Sequence, residues 1–232
     1  MGRFDGKTVI VTGAARGQGA AEAKLFHAEG ANVVATDILG GDGIAPHDIA
    51  DEAAWARVID RAMTRFGRID VLVNNAGVLS TQSFDQTDAA EFDRVMRVNQ
   101  RGTFLGMRAV LEPMRQGGGG AIVITSSGAA LSGTPGMFAY VASKWALRGM
   151  SKAAARDLAK YNIRVNAVLP GIIDTAMAAE NPPESLAMFK SMIPSGRFGT
   201  PDEIAQLVAF IASDDARYIT GAEFAIDGGL NA

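Results

Sequence analysis

The stretch Thr8-Val9-Ile10-Val11-Thr12-Gly13-Ala14-Ala15-Arg16-Gly17-Gln18-Gly19-Ala20 decides how the chain is read. Its first five residues are apolar or β-branched without alternation, the pattern of a strand buried on both faces of a parallel sheet. Glycines at 13, 17 and 19 then permit a tight turn. Ala20 to Glu29 has helical character, and Gly30 stops it. Strand, glycine turn and helix in this order bring helix N-terminal N–H groups close to a pyrophosphate. The spacing is not G-x-G-x-x-G, so the strand and helix around the turn carry the inference.

Outward from this turn, strands and helices alternate. Asn32–Thr36 reads as a strand closed by Asp37. Ile38 to His47 is glycine-rich and too short for a helix, and a brief third strand ends at Asp48. Asp51 reads as a helix cap, with Trp55, Val58, Ile59, Ala62, Met63 and Phe66 at helical spacing before Gly67. Further strands are expected at Val71–Val73, Ala121–Ile124, Arg164–Leu169 and Glu223–Ile226. Helices are expected over Glu91–Gln116, about Tyr140–Lys160, and Asp202–Ala212. This alternation predicts an α/β fold. We expect a single-domain Rossmann-type doubly wound parallel sheet of about seven strands, with helices on both faces. It spans residues 1–232, with a small substrate-covering segment at about 174–198.

Composition removes several classes of chemistry. The 232 residues include no Cys and 2 His, His27 and His47. A disulfide framework, a thiolate metal site and a Ser-His-Asp triad are therefore not expected, and no metal is assigned. Lys+Arg 22 against Asp+Glu 25 gives a net charge of −3, which offers nothing to a nucleic acid. No run reaches the roughly 18 apolar residues of a membrane span. The polar opening Met-Gly-Arg-Phe-Asp is unlike a signal peptide, so a cytoplasmic protein is expected.

Asp37 bears on the cofactor. It ends the second strand at close to the roughly 20-residue spacing of a ribose-binding acid. A carboxylate there accepts hydrogen bonds from an adenosine 2′-hydroxyl and repels a 2′-phosphate. Arg16 could pair with such a phosphate, or could simply face solvent. Weighing Asp37 more heavily, NAD(H) is expected over NADP.

Further residues give the pattern a name. Thr12-Gly13-x-x-x-Gly17-x-Gly19 is followed by Asn74-Asn75-Ala76-Gly77, then Asn99, Ser127, Tyr140-x-x-x-Lys144 and Pro170-Gly171. In this order the chain resembles the short-chain dehydrogenase/reductase family over essentially its whole length. Tyr140 to Lys152 and the ending Thr220 to Gly229 look most like NAD-dependent bacterial hydroxysteroid and secondary-alcohol dehydrogenases.

The resemblance implies Ser127, Tyr140, Lys144 and Asn99 as catalytic residues. Tyr140 and Lys144 are one helical turn apart, and a nearby ammonium favours tyrosinate. Lys144 would also bond the nicotinamide ribose. Ser127 would donate a hydrogen bond to the substrate oxygen, with the adjacent Ser126 turned the other way. Asn99 implies a helix kink whose exposed carbonyl or side chain holds a relay water. The implied cofactor set is Gly13, Arg16, Gly17, Gln18, Gly19, Asp37, Asp48, Ile49, Asn75, Ala76, Gly77, Tyr140, Lys144, Pro170, Gly171, Ile173 and Thr175. Gln18 departs from the aliphatic residue usual in that turn.

Pocket residues are expected from Ala129 and Met137, and from Met177, Met188, Phe189 and Met192. The methionine cluster suits a large or variable apolar ligand, or equally the packing of a covering segment. No Arg or Lys lies between Asp174 and Phe189, so a neutral apolar ketone or secondary alcohol fits best. Two other readings compete: an NADPH-dependent 3-ketoacyl-acyl-carrier-protein reductase, and a nucleotide-sensing scaffold without catalysis. The resemblance also implies a homotetramer or homodimer.

Overall fold

A computed structural model describes residues 2–175 and 183–232. Strands β1 (Thr8–Thr12), β2 (Asn32–Asp37), β3 (Ala45–Pro46), β4 (Val71–Asn74), β5 (Gly120–Thr125), β6 (Ile163–Pro170) and β7 (Glu223–Ile226) form one sheet. Its order is β3-β2-β1-β4-β5-β6-β7, and every neighbouring pair is parallel. The chain order turns back between β1 and β4, which opens a crevice at the carboxyl ends of the strands.

Helices cover both faces: α1 (Gly17–Ala28), α2 (Glu52–Phe66), α3 (Ala89–Met96), α4 (Gly102–Gln116), α5 (Ala129–Ser132), α6 (Phe138–Leu158), α7 (Pro183–Met192) and α8 (Pro201–Ala212). Alternate strand residues serve opposite layers, as the pleat requires. Val9, Val11, Val73, Val123 and Val168 pack with Phe26 of α1 and Ile204 and Val208 of α8. Ile10, Leu72, Ile122, Ile124 and Val165 pack with Trp55 of α2, Val110 and Met114 of α4, and Leu147 of α6.

Helix boundaries follow local chemistry. The Asp51 side chain accepts from Ala53 N at the start of α2, and Gly67 closes it in a left-handed conformation with φ 71. Thr200 and Glu203 form a reciprocal capping box ahead of α8. Four expectations shift. Helix α1 is bounded at Gly17 rather than Ala20, and since Gly17 itself is left-handed, Gly19 is the glycine of the turn that is already helical. The helix expected from Glu91 begins at Ala89 and is interrupted by a π turn over Arg97–Arg101. Helix α6 begins at Phe138, and α5 is a short helix in what reads as a loop. As expected, no helix lies between Asp37 and Asp48. That stretch is a tight loop closed by a bridge between Gly41 and Ile44.

Among the described residues no helix is long and apolar enough to cross a membrane. The same residues contain no cluster of three or more His, Asp or Glu fit for a metal.

Two buried titratable groups give the fold a pH dependence. Glu22 of α1 is fully buried, and neither carboxyl oxygen has a hydrogen-bond partner among the described residues. Burial pushes its pKa up to about 8 from 4.5. Between these values the folded chain keeps a proton that the unfolded chain has released, so stability falls as pH rises. His47 is buried against Trp55, and burial lowers its pKa from 6.5 to about 4. It stays neutral where the unfolded chain takes up a proton, so its contribution falls as pH drops below 6.5. Above about pH 6.5 the Glu22 contribution stands apart from that of His47. Glu22→Gln should therefore flatten the decline of the urea midpoint between about pH 6.5 and about pH 8. An unchanged slope would show that Glu22 is ionised in the folded protein.

Candidate active site

The glycine turn is held by one hydroxyl. Thr12 Oγ donates to Val73 O at 3.2 Å and accepts from the backbone N–H groups of Asn75 and Ala76, each at 3.1 Å. The Asn75 amide returns to the turn, donating to Thr12 O at 3.0 Å and Gly13 O at 3.4 Å. Asn75, expected along the cofactor, fastens β1 to β4 with its side chain. The fit leaves no room for side chains. A Cβ on Gly13 would stand 2.9 Å from Ala76 Cα, and one on Gly19 only 2.2 Å from Gly13 O. Gly17 differs: it has φ +58, and the nearest atom to an added Cβ is the Thr175 methyl at 3.5 Å.

Helix α1 begins beneath this turn with no side-chain cap and no acid in its first turn. Asp51, Asp88 and Thr200 cap α2, α3 and α8 respectively. The α1 terminus thus presents unclaimed N–H groups and positive dipole to the crevice, which fits a pyrophosphate. Gln18 Oε1 is buried without a partner among the described residues, and Arg16 is exposed. On the adenine side, Asp37 accepts from Ala15 N at 3.1 Å and Leu39 N at 3.0 Å, which fixes its carboxylate beside the turn. Asp48 accepts from Ala50 N at 2.9 Å and faces Arg97 at 3.4 Å. Ile49 is buried, and its carbonyl accepts the Trp55 indole N–H. Ile38 and Leu39, absent from the expected set, stand 72% and 69% exposed beside Asp37. Two large apolar residues directly after a strand-end acid were the available signal.

Ser127, Tyr140 and Lys144 come together where β5 ends and α6 begins. Ser126 turns inward and donates to Lys144 O at 2.9 Å, leaving Ser127 on the crevice side as strand alternation predicts. Ser127 Oγ accepts from Ala129 N at 3.1 Å. Lys144 is buried, donates to Thr125 O at 2.7 Å, and has Nζ 5.7 Å from the centre of the Tyr140 ring. Burial lowers the Lys144 pKa to about 8. Burial also raises the Tyr140 pKa, opposed by hydrogen bonding to Ser127.

Asn99 lies in the π turn and is fully buried. Its side chain accepts from Val78 N at 2.8 Å and donates to Val78 O at 2.9 Å and Ser143 Oγ at 3.0 Å. Its carbonyl accepts the Thr103 hydroxyl at 2.8 Å. The side chain is thus engaged within the chain, and the carbonyl, with one hydrogen bond accepted, keeps a second lone pair. Ser143 was not expected; it donates to Tyr140 O at 2.7 Å and so links the π turn to α6. Gly77 passes close to both partners, since a Cβ there would lie 3.1 Å from Asn99 Oδ1 and 3.4 Å from Lys144 Nζ.

Beyond β6, Gly171 sits against Asp227, and buried Ile173 bridges to Gly199. Gly128 N donates to Pro170 O at 2.7 Å, tying the strand end to the loop after Ser127. Thr175 returns to the glycine turn at Gly17. Ala129, Met137 and Phe189 are half-buried, whereas Met188 and Met192 of α7 are 54% and 58% exposed. The methionines expected to line a pocket thus face outward in part, and Met177 lies outside the described residues.

A parallel doubly wound sheet, a glycine turn at an uncapped helix and a Ser-Tyr-Lys cluster define a dinucleotide-dependent oxidoreductase. Residues 13–231 match a family model described as enoyl-(acyl carrier protein) reductase. A 3-alpha-(or 20-beta)-hydroxysteroid dehydrogenase of Mycobacterium tuberculosis is 40% identical, over 98% of this chain and 90% of that protein. A cyclopentanol dehydrogenase of Comamonas is 41% identical over 100% of both chains. A 3-oxoacyl-acyl-carrier-protein reductase of Thermotoga maritima is 40% identical over 98% of this chain and 99% of that protein. The chain belongs to the short-chain dehydrogenase/reductase family. It is an oxidoreductase acting on CH–OH groups with a nicotinamide cofactor.

Gly19 is required by space. In Gly19→Ala the Cβ meets backbone, so titration with reduced cofactor should show at least about a tenfold loss of affinity. Unchanged affinity would mean that the Gly13–Gly19 contact does not shape the cofactor seat.

Proposed function

We propose that the protein transfers a hydride between NAD(H) and an apolar, cyclic secondary alcohol or its ketone. The convergence of Ser127, Tyr140 and Lys144 beside the uncapped turn carries this reading. The cofactor, when bound, supplies or accepts the hydride. In the reducing direction Tyr140 gives its proton to the substrate oxygen while Ser127 donates a hydrogen bond to the same atom. Lys144 stabilises the resulting tyrosinate and holds the nicotinamide ribose with donors not spent on Thr125 O. Asn99 acts by fixing Val78 and Ser143 around this pair. Asp37 selects NAD(H), Arg16 facing solvent. Gly13, Gly17, Gly19, Gln18, Ala76 and Gly77 seat the diphosphate and nicotinamide side, Asp48 and Ile49 the adenine side. Pro170, Gly171, Ile173 and Thr175 border the carboxamide.

The substrate class draws on relatives named for hydroxysteroid, cyclopentanol and trans-4-hydroxycyclohexanecarboxylate substrates. It agrees with a site bordered by Ala129, Met137 and Phe189 and by a covering segment without Lys or Arg before Phe189. The second reading, a 3-oxoacyl-carrier reductase, rests on the Thermotoga relative. It would require NADPH against the charge of Asp37. We place the protein in the cytoplasm, where a chain without Cys has no disulfides to form. It assembles as a homotetramer or homodimer through α4 and α6, where Phe104 and Trp145 are 49% and 46% exposed.

Two variants test the chemistry. Tyr140→Phe should lower kcat by a factor of roughly 100 to 10,000 with little change in NADH affinity. Turnover equal to wild type would remove Tyr140 from the mechanism. Asp37→Ser should raise kcat/KM for NADPH relative to NADH by about tenfold or more. A wild-type enzyme equally efficient with both cofactors would overturn the role given to Asp37.

A further inference from the structure

The turn after β7, Asp227–Asn231, touches three parts of the site without reaching its chemistry. Its first contact is the strand end after β6: a Cβ on Gly171 would stand 2.7 Å from Asp227 Cα. The second is the base of α7. Ser195 N donates to Gly228 O at 3.1 Å, and Cβ atoms on Gly228 and Gly229 would meet Ser195 Oγ at 2.4 Å and Pro194 at 3.1 Å. The third is the loop that follows Ser127. Ser132 Oγ donates to Asn231 Oδ1 at 3.2 Å, and a Cβ on Gly128 would lie 2.9 Å from Asn231 Nδ2.

Asn231 is the member that spans this gap. Its Nδ2 donates to Asp227 Oδ2 at 2.8 Å while its Oδ1 accepts from Ser132, so one amide joins the turn to α5. The turn does not need that amide to form. Asp227 also accepts from Gly229 N at 3.0 Å and Asn231 N at 3.1 Å, bonds that survive loss of the Asn231 side chain. The remaining function of the side chain is therefore the link to the Gly128–Ser132 loop.

Resting on the oxidoreductase reading above, we propose that Asn231 is a positioning residue that sets substrate selectivity. Through its exposed bond to Ser132 it tethers the far end of a loop that Gly128 N already anchors to Pro170 O, and so holds one wall of the substrate cleft relative to the base of the covering segment. Its loss lets that wall move, which changes how a wide ring system is accommodated and leaves a small ring nearly unaffected.

The test compares wild type, Asn231→Ala, Ser132→Ala and the double variant, each with NADH and two probes: cyclopentanone and a fused polycyclic ketone. Loss of one neutral hydrogen bond predicts a shift of roughly threefold to fivefold in the ratio of the two kcat/KM values. The single variants should shift it alike, and the double variant should add nothing. NADH affinity should be unchanged in all four proteins. Amide hydrogen exchange across residues 128–133 should rise in both single variants without any substrate present. Single-variant effects that multiply in the double, equal effects on both ketones, or unaltered exchange would each overturn the proposal. If wild type reduced neither ketone, the substrate reading would fail, while exchange would still decide the link between Asn231 and the loop.

Discussion

The Thr12 hydroxyl is the point on which the site depends. It donates once and accepts twice, joining the end of β1 to the chain leaving β4. These are the two strands flanking the crevice, and the hydroxyl keeps their carboxyl ends in contact while the turn at Gly13 leaves the sheet. With that spacing fixed, the path from Asn75 to Gly77 runs directly under the glycine turn. Gly13 and Gly19 follow from it, because each passes a neighbour too closely for a Cβ, and at Gly77 the room is tight. A turn held this way presents helix N–H groups that need little rearrangement when an anion arrives.

Much of the fold was legible because the sheet is buried on both faces. Continuous apolar runs such as Val9-Ile10-Val11 and Ile122-Val123-Ile124 have no reading as surface strands, and glycine or Asp punctuates them cleanly. The convergence of Ser127, Tyr140 and Lys144 was legible too, since they stand at a spacing that the family shares. The hydrogen-bond partners of the two asparagines were not. Asn75 turns to Thr12 and Gly13, and Asn99 to Val78 and Ser143, for want of other partners in buried surroundings. Helix α5 escaped because four residues are shorter than any helical period can register. The π turn was visible only as a polar residue out of place on an apolar helix face.

The electrostatics of the pair Tyr140 and Lys144 also depend on more than spacing. One helical turn brings the two residues to the same side of α6, with Lys144 buried and Tyr140 half-buried. Burial moves the phenol up and the ammonium down. At about 8 the Lys144 pKa still leaves the ammonium charged at neutral pH, so a cation stands beside a neutral phenol.

The sheet edge beyond β2 is reduced to two residues, and one of them is Pro46, which has no N–H to offer a further strand. A chain that omits the helix between β2 and β3 would ordinarily leave a long, unprotected ladder of donors and acceptors. Here β3 covers only Thr36 and Asp37 of β2, and Pro46 ends the ladder at that corner. That corner of the border is a poor template for another polypeptide, which lowers the tendency of neighbouring molecules to join edge to edge there.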